Sequence, residues 1–409
     1  MQLDLFICTK IESTMCDRLK NYFCIVGILA TLFFAGFAPG QDSPSPDAPE
    51  WSWYESGMEL YNPQLSPDGS SVVVVRKRHT YDGHEAEAIS DDEIKLQQAR
   101  IDADERYADP QVVILSPNQQ VETIDWGWEP VFSPDGNKIA YSSQVSPISR
   151  YRVLASTLKG NDIRIYDRAS KSYITLAKPS DGYLTEPIFS HDGKQVVYSI
   201  GGAVNGAYGG NVGLGRVSIE SGLTETLVPP TKTHGLLNLV NSKGFQSDRL
   251  LVIRCIPAKE GTFLSNEYLC DLLDADYPEA VVHSWGTRTL EEMGTFRFVP
   301  VTADSLLVFD QGWQKAAPSS GSQSYPTPEY ASDPGAASPN GLHTAHISGS
   351  TVYIKDLLTG RLQKQWEIDG QIQELTWAPT SDRLAVIVTK WQDHFSHDTL
   401  VVFSIAQGK

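Results

Sequence analysis

One short turn recurs along this chain and constrains its fold more than any other feature. Asn62-Pro63-Gln64-Leu65-Ser66-Pro67-Asp68-Gly69 leads into Val72-Val73-Val74-Val75. Glu129-Pro130-Val131-Phe132-Ser133-Pro134-Asp135-Gly136 leads into Lys138-Ile139-Ala140-Tyr141. Glu186-Pro187-Ile188-Phe189-Ser190-His191-Asp192-Gly193 leads into Gln195-Val196-Val197-Tyr198, and Glu374-Leu375-Thr376-Trp377-Ala378-Pro379 into Arg383-Leu384-Ala385-Val386. Ser, Pro, Asp and Gly suit the four successive positions of a type I turn; Pro presets φ at the second and Gly tolerates the fourth. Each unit therefore predicts two apolar strands joined by a tight hairpin. A third strand follows at Asp162–Tyr166 and at Thr351–Ile354, then a polar turn such as Thr359-Gly360, then a fourth strand. Four strands per unit, repeated, predict an all-β chain folded as a β-propeller of four-stranded blades.

Clear blades begin near residues 63, 130, 187 and 375, and Ser338-Pro339-Asn340-Gly341 marks another. Two weaker units centre on Asp248–Val252 and Asp304–Val308. That count is seven. Gln314–Pro339, rich in Pro, Ser and Gly, stands where the outer strands of the fifth blade belong, so six is the alternative. The 409 residues are 41% apolar, which excludes a disordered chain, and 32 Gly with 24 Pro suit a fold full of turns. A net charge of −17 disfavours a nucleic-acid binder, which needs a basic surface for phosphate.

The chain opens on a targeting pattern. Arg18 and Lys20 precede an apolar run from Phe23 to Phe37, and the small residues Ala38 and Gly40 follow. This order predicts a signal peptide over residues 1–40, cut before Gln41, and a periplasmic or secreted protein. An uncleaved anchor is the alternative membrane contact, although the run is short for a span of ~20 residues. Met15 is an alternative start. Residues 41–50 read as a Pro-rich linker.

The repeats resemble the TolB-like, WD-repeat-like propellers of bacterial envelope proteins, over about residues 51–409. The Glu-Pro-x-Phe-Ser-Pro-Asp-Gly core carries the likeness closely in two blades and loosely in two more. The resemblance implies an exported, monomeric, non-catalytic platform, without cofactor, that binds a protein or glycan of the envelope. The competing expectation is an enzyme with its site in the propeller funnel, such as a polysaccharide lyase or hydrolase. The repeats are also similar to the propeller of prolyl-oligopeptidase-type enzymes, but the chain has no Gly-x-Ser-x-Gly elbow.

Other motifs read as structural. Asp393-His394-Phe395-Ser396-His397-Asp398 could offer two metal ligands, but no third is placed and the segment reads as a polar exposed loop. His343 and His346 fall on opposite faces of a strand. Residues 80–109 hold ten acids and three bases; Ser90-Asp91-Asp92-Glu93 predicts a helix inserted in the first blade. Gly201–Gly210 matches no phosphate loop and reads as a flexible loop.

Three expectations follow. The last blade lacks its outermost strand, so Trp51–Ser56 should supply it beside Thr399–Ile405 and close the ring. A hairpin centred between residues 262 and 263 should set Cys255 opposite Cys270, close enough for a disulfide. Finally, the residue four before each turn Ser, or before Ala378, is Asn62, Glu129, Glu186 or Glu374. These should gather at one mouth of the central channel with Trp126 and Trp128, as a binding site for a cation or basic peptide. The alternative duty of each Glu is to accept backbone hydrogen bonds from the neighbouring blade.

Overall fold

The structure, a computed structural model, describes residues 48–78, 110–143, 161–179, 182–204, 207–228, 237–239, 251–257, 267–274, 277–289, 297–302, 305–309, 313–317, 320–324, 335–392 and 395–405. The leader, most of the linker, the acidic insertion at 80–109, His394 and the start of the weak unit at 248 lie outside the described residues.

Among the described residues the fold is all-β, in six antiparallel sheets. Five have four strands. The sixth has seven, because Gln120–Phe132 runs without a break from the sheet of Met58–Leu65 into that of Lys138–Ser143. The sheets are blades of a β-propeller. The doubtful fifth unit has its outer strands: Trp313–Ala317 and Ser320–Ser324 pair within the sheet of Arg297–Thr302 and Ser305–Phe309.

The repeated turn builds itself from its own side chains. Ser66 Oγ donates to Asp68 Oδ1 at 2.5 Å, and Asp68 Oδ1 takes the Ser70 amide at 3.0 Å. Ser66 Oγ in turn accepts the Ser71 amide at 3.1 Å. The same set recurs at Ser133/Asp135, Ser190/Asp192 and Ser338/Asn340. Burial opposes the charge on Asp68, but the bonds from Ser66 and Ser70 outweigh it and hold the carboxyl below its usual range. The turns also touch one another. A Cβ on Gly136, at φ +72, would lie 3.1 Å from the Pro67 ring, and one on Gly193 would lie 3.5 Å from Pro134. Each Pro thus packs over the Gly of the next turn. At Gly69 that place is taken by Arg383, which Glu50 holds at 2.9 Å.

The second strand of the first repeat is covered on both faces; Val72 to Val75 are all fully buried. Val73, Val112, Ile114, Phe132, Ile139 and Tyr141 fill the layer between the first two repeats. Trp53, Leu60, Leu65, Val74, Ile387 and Val402 fill the layer between the first repeat and the last.

Closure follows the expectation. Trp51–Tyr54 pairs with the last strand, Trp51 against Val402 and Tyr54 against Thr399. Side chains of that last strand then fasten the next one. His397 Nδ1 accepts the Gly57 amide at 3.0 Å, and Asp398 Oδ2 accepts the Leu60 amide at 2.8 Å. Thr389 Oγ1 donates to the other Asp398 oxygen at 2.5 Å. This corrects the reading of His397 and Asp398 as an exposed loop: both are buried, because the backbone donors of Gly57 and Leu60 need acceptors there. A second correction concerns the Gly-rich run. Gln195–Val204 and Ala207–Ser218 form a hairpin. Gly201 faces Tyr183, whose ring would lie 2.1 Å from a Cβ, so the small residues make room for aromatic rings.

Candidate functional site

The innermost strands each carry an irregularity at one place. Register shifts fall between Tyr61 and Gln64, between Trp128 and Val131, and between Thr185 and Ile188. At those shifts Asn62, Glu129 and Glu186 have φ of 52°, 55° and 51°. Left-handed backbone in a non-Gly residue costs about 1–3 kcal/mol and persists only where the surroundings impose it. Here Asn62 and Glu186 turn their amides toward the preceding blade.

Neighbouring carboxylates meet those amides. Glu129 Oε2 accepts the Glu186 amide at 2.5 Å. Glu374 Oε2 accepts the Asn62 amide at 3.0 Å, across the junction of the last blade with the first. The four residues aligned in the sequence therefore form two pairs, Glu129 with Glu186 and Glu374 with Asn62.

The first pair has its own electrostatics. Protein packs round the Glu129 carboxylate although part of the residue's surface stays accessible. Burial, followed by the Glu186 charge, pushes the Glu129 carboxyl from 4.5 up to about 7, against the opposing bond from the Glu186 amide. Glu186 accepts a 2.9 Å bond from the Ser199 hydroxyl, which is fully buried. Tyr183 also feels the pair: burial first, then Glu186 and Glu129, raise its phenol and keep it a hydrogen-bond donor. Glu129 can thus exist as an acid near neutral pH, beside a second carboxylate oriented by a hydroxyl.

Of the two tryptophans, Trp128 lies between the first two repeats, its ring 6.3 Å from that of Tyr61. Trp126 is in register with Gln111 and half-buried. Aromatic residues stand one before the left-handed position at Tyr61 and Trp128, and three before it at Trp126 and Tyr183. Tyr61, Tyr183 and Ser199 were missed by motif reading, yet aligning the strands backward from the turn exposes the two tyrosines.

Cys255 and Cys270 are register partners, as the hairpin count predicts. Cys270 is buried; the Cys255 side chain lies outside the described residues. His343 stacks near Trp377 at 6.3 Å, while His346 is buried and bonded to Thr344 at 2.8 Å.

No protein-family model and no curated protein matches the chain. Among solved structures, it is similar to an oligogalacturonate lyase in complex with manganese, at a TM-score of 0.50 and 11% identity. That match covers 88% of this chain and 91% of the other. It also aligns with an oligogalacturonate lyase from Vibrio parahaemolyticus, at a TM-score of 0.48 and 11% identity, over 87% of this chain and 91% of that one. At such identity the likeness shows the fold, a β-propeller; it does not single out the TolB-like class. The expectation of a non-catalytic, non-enzymatic platform is corrected to this extent: the solved structure that shares the fold is an enzyme. Among the described residues, no group of three or more His, Cys, Asp or Glu is placed to hold a metal ion.

Proposed function

We propose that this chain is an exported glycan-cleaving enzyme, a hydrolase whose site lies in the funnel around Glu129 and Glu186. The observation that carries the reading is the Glu129 carboxyl, pushed up to about 7 beside a second carboxylate. Two carboxyl groups whose environments separate their proton affinities are the working parts of glycoside hydrolysis. Glu129 gives its proton to the glycosidic oxygen as the bond from that oxygen to the anomeric carbon breaks. Glu186, ionised and oriented by Ser199, takes the proton of the water that attacks the carbon. Glu129 Oε2 holds the Glu186 amide, so Oε1 is the oxygen offered to substrate.

Hydrolysis suits these residues better than elimination from a uronate. Elimination needs positive charge beside the substrate's carboxylate, whereas the charged neighbour of Glu129 is another carboxylate. A polyanion such as oligogalacturonate would meet repulsion there and across a chain of net charge −17. We count seven blades for this scaffold, with the seven-stranded sheet supplying two through Gln120–Phe132. Cleavage before Gln41 would release it as a periplasmic or secreted monomer.

The test is incubation of the purified protein with a panel of neutral and acidic polysaccharides. New reducing ends on a neutral glycan, lost in Glu129→Gln, are the expected result. Ultraviolet absorbance from unsaturated sugar ends would move the assignment to a lyase. Cleavage undiminished in Glu129→Gln would remove the site from this pair.

A further inference from the structure

Away from the innermost strands, the outer strands of the first two repeats enclose a cavity of about 490 Å³ that opens to solvent. Glu122, Thr123 and Ile124 line it from one repeat, and Tyr166, Lys171 and Tyr173 from the next. These residues lie toward the Ser-Pro-Asp-Gly end of their strands, since Asp167 is in register with Lys138, just after that turn. Glu129 lies farther along the same unbroken strand, five residues past Ile124, where it has become the innermost strand of the second repeat; Glu186 stands on another strand.

The lining is built. Tyr173 is 48% exposed. Yet it is held: the Arg164 guanidinium lies over it, 4.9 Å from the centroid. Arg164 is fixed by Asp125 at 2.7 Å, and Asp125 also takes the Tyr141 hydroxyl at 2.7 Å. One face of the ring is thus covered by a cation, and the other is left for a ligand. The polar edge is equally ordered. Tyr166 donates to Glu122 Oε1 at 2.5 Å, which turns the other oxygen, Oε2, toward the Lys171 ammonium 3.9 Å away. An acceptor and a donor stand side by side, with opposite charges that cancel.

An aromatic face beside a paired donor and acceptor matches one ligand class. A pyranose stacks its C–H face on the ring, while two vicinal hydroxyls meet one acceptor and one donor. The balanced charge favours an uncharged sugar. A cavity of this size holds one or two sugar units. We propose that the groove between the outer strands of the first two repeats is a second saccharide site, which holds a neutral glycan chain away from the funnel. It shares with the funnel reading only the ligand class.

Affinity electrophoresis in native gels cast with a neutral polysaccharide tests it; the probes are hydroxyethylcellulose, laminarin, dextran and galactomannan, with polygalacturonate as acidic control. At least one neutral probe should retard the purified protein, and Glu129→Gln should be retarded equally. Tyr173→Ala should lose about tenfold in affinity, the size of one aromatic contact, while its melting temperature and its cleavage of a short soluble glycoside stay unchanged. Lys171→Met should weaken retardation several-fold. The proposal is overturned if no neutral probe retards the protein, if polygalacturonate alone does, or if Tyr173→Ala is retarded like the wild type. Retardation without any glycan cleavage would sink the funnel reading and leave the groove standing; cleavage without retardation would do the reverse.

Discussion

Two junctions between blades use the same device and come out chemically different. At each, a carboxylate on one innermost strand accepts the amide of a left-handed residue on the next. Between the last blade and the first, Glu374 caps Asn62. Between the second and third clear repeats, Glu129 caps Glu186. The backbone is common to both; the capped side chain differs. A neutral amide at Asn62 brings no charge to Glu374, whereas the Glu186 carboxylate adds to burial and lifts Glu129 to about 7. Burial, the larger cause, and that one neighbouring charge together turn a structural cap into a proton carrier. The closing junction spends its polar groups on fastening, through His397 and Asp398 to the backbone of Gly57 and Leu60.

The sharpest way to break this contrast is to neutralise each cap. Glu129→Gln should lower glycan cleavage about 10²–10⁴-fold, as loss of a general acid does, while Glu374→Gln should leave the rate within a few-fold. Turnover of both variants on one substrate decides it. Equal losses would mean that the two caps do the same work.

Stability should show the reverse ranking. Asp398→Ala leaves the buried Leu60 amide and Thr389 hydroxyl without their acceptor, at about 2–3 kcal/mol. Ser199→Ala removes one bond to Glu186 and should cost about 1 kcal/mol. Denaturant midpoints measure both. A milder effect from Asp398→Ala than from Ser199→Ala would deny that the last strand's side chains fasten the ring.

Much of this frame was legible because the turn signals its own structure. Ser-Pro-Asp-Gly fixes a hairpin through local bonds, so the strands on either side could be placed without tertiary knowledge. The expectation that Trp51–Ser56 lies beside Thr399–Ile405 is met over Trp51–Tyr54. Counting back from the turn also found the four residues of the two pairs. What it could not find depends on other blades. The left-handed backbone at Asn62 and Glu186 presents an amide to a neighbouring blade, and no local pattern states that. His397 and Asp398 read as exposed because their partners lie more than 330 positions away in the chain. The enzyme reading stood as the competing expectation and not the first, because a proton affinity near 7 comes from burial and a neighbouring charge, which no motif spells out.

The pH dependence of stability offers a direct probe of the proton-carrying junction. Glu129 holds a proton in the folded state up to about pH 7, whereas its ordinary value is 4.5. Its contribution is therefore full below about pH 4.5 and is lost as pH rises toward 7. The loss should be about 1–3 kcal/mol, allowing for solvent on its open side. His343, lowered by burial, acts in the opposite direction, losing stability as pH falls below 6.5. Subtracting the curve of Glu129→Gln isolates the first effect. Parallel curves for wild type and variant across pH 4.5–7.5 would mean that Glu129 is ionised throughout.

The smallest effect comes from exchanging the two capped residues, and it tests the comparison most closely. Glu186→Asn gives the second junction the side chain of the first. Burial of Glu129 remains, but the neighbouring charge goes, so the loss of stability with rising pH should end at a lower pH and be smaller. Asn62→Glu does the converse at the closing junction: a carboxylate beside Glu374 should raise its proton affinity and add a pH dependence there. The backbone accepts either residue, since Asn62, Glu129 and Glu186 share a φ of 51–55°. Asn visits that region more readily than Glu, so Asn62→Glu carries a penalty independent of pH, of order a few tenths of a kcal/mol. Melting curves across the same pH range, in the Glu129→Gln background for the second variant, separate the shape of the dependence from that offset. If Asn62→Glu shifts every point equally and adds no slope, the charge of the capped residue is not what distinguishes the junctions, and burial alone sets the proton affinity of Glu129.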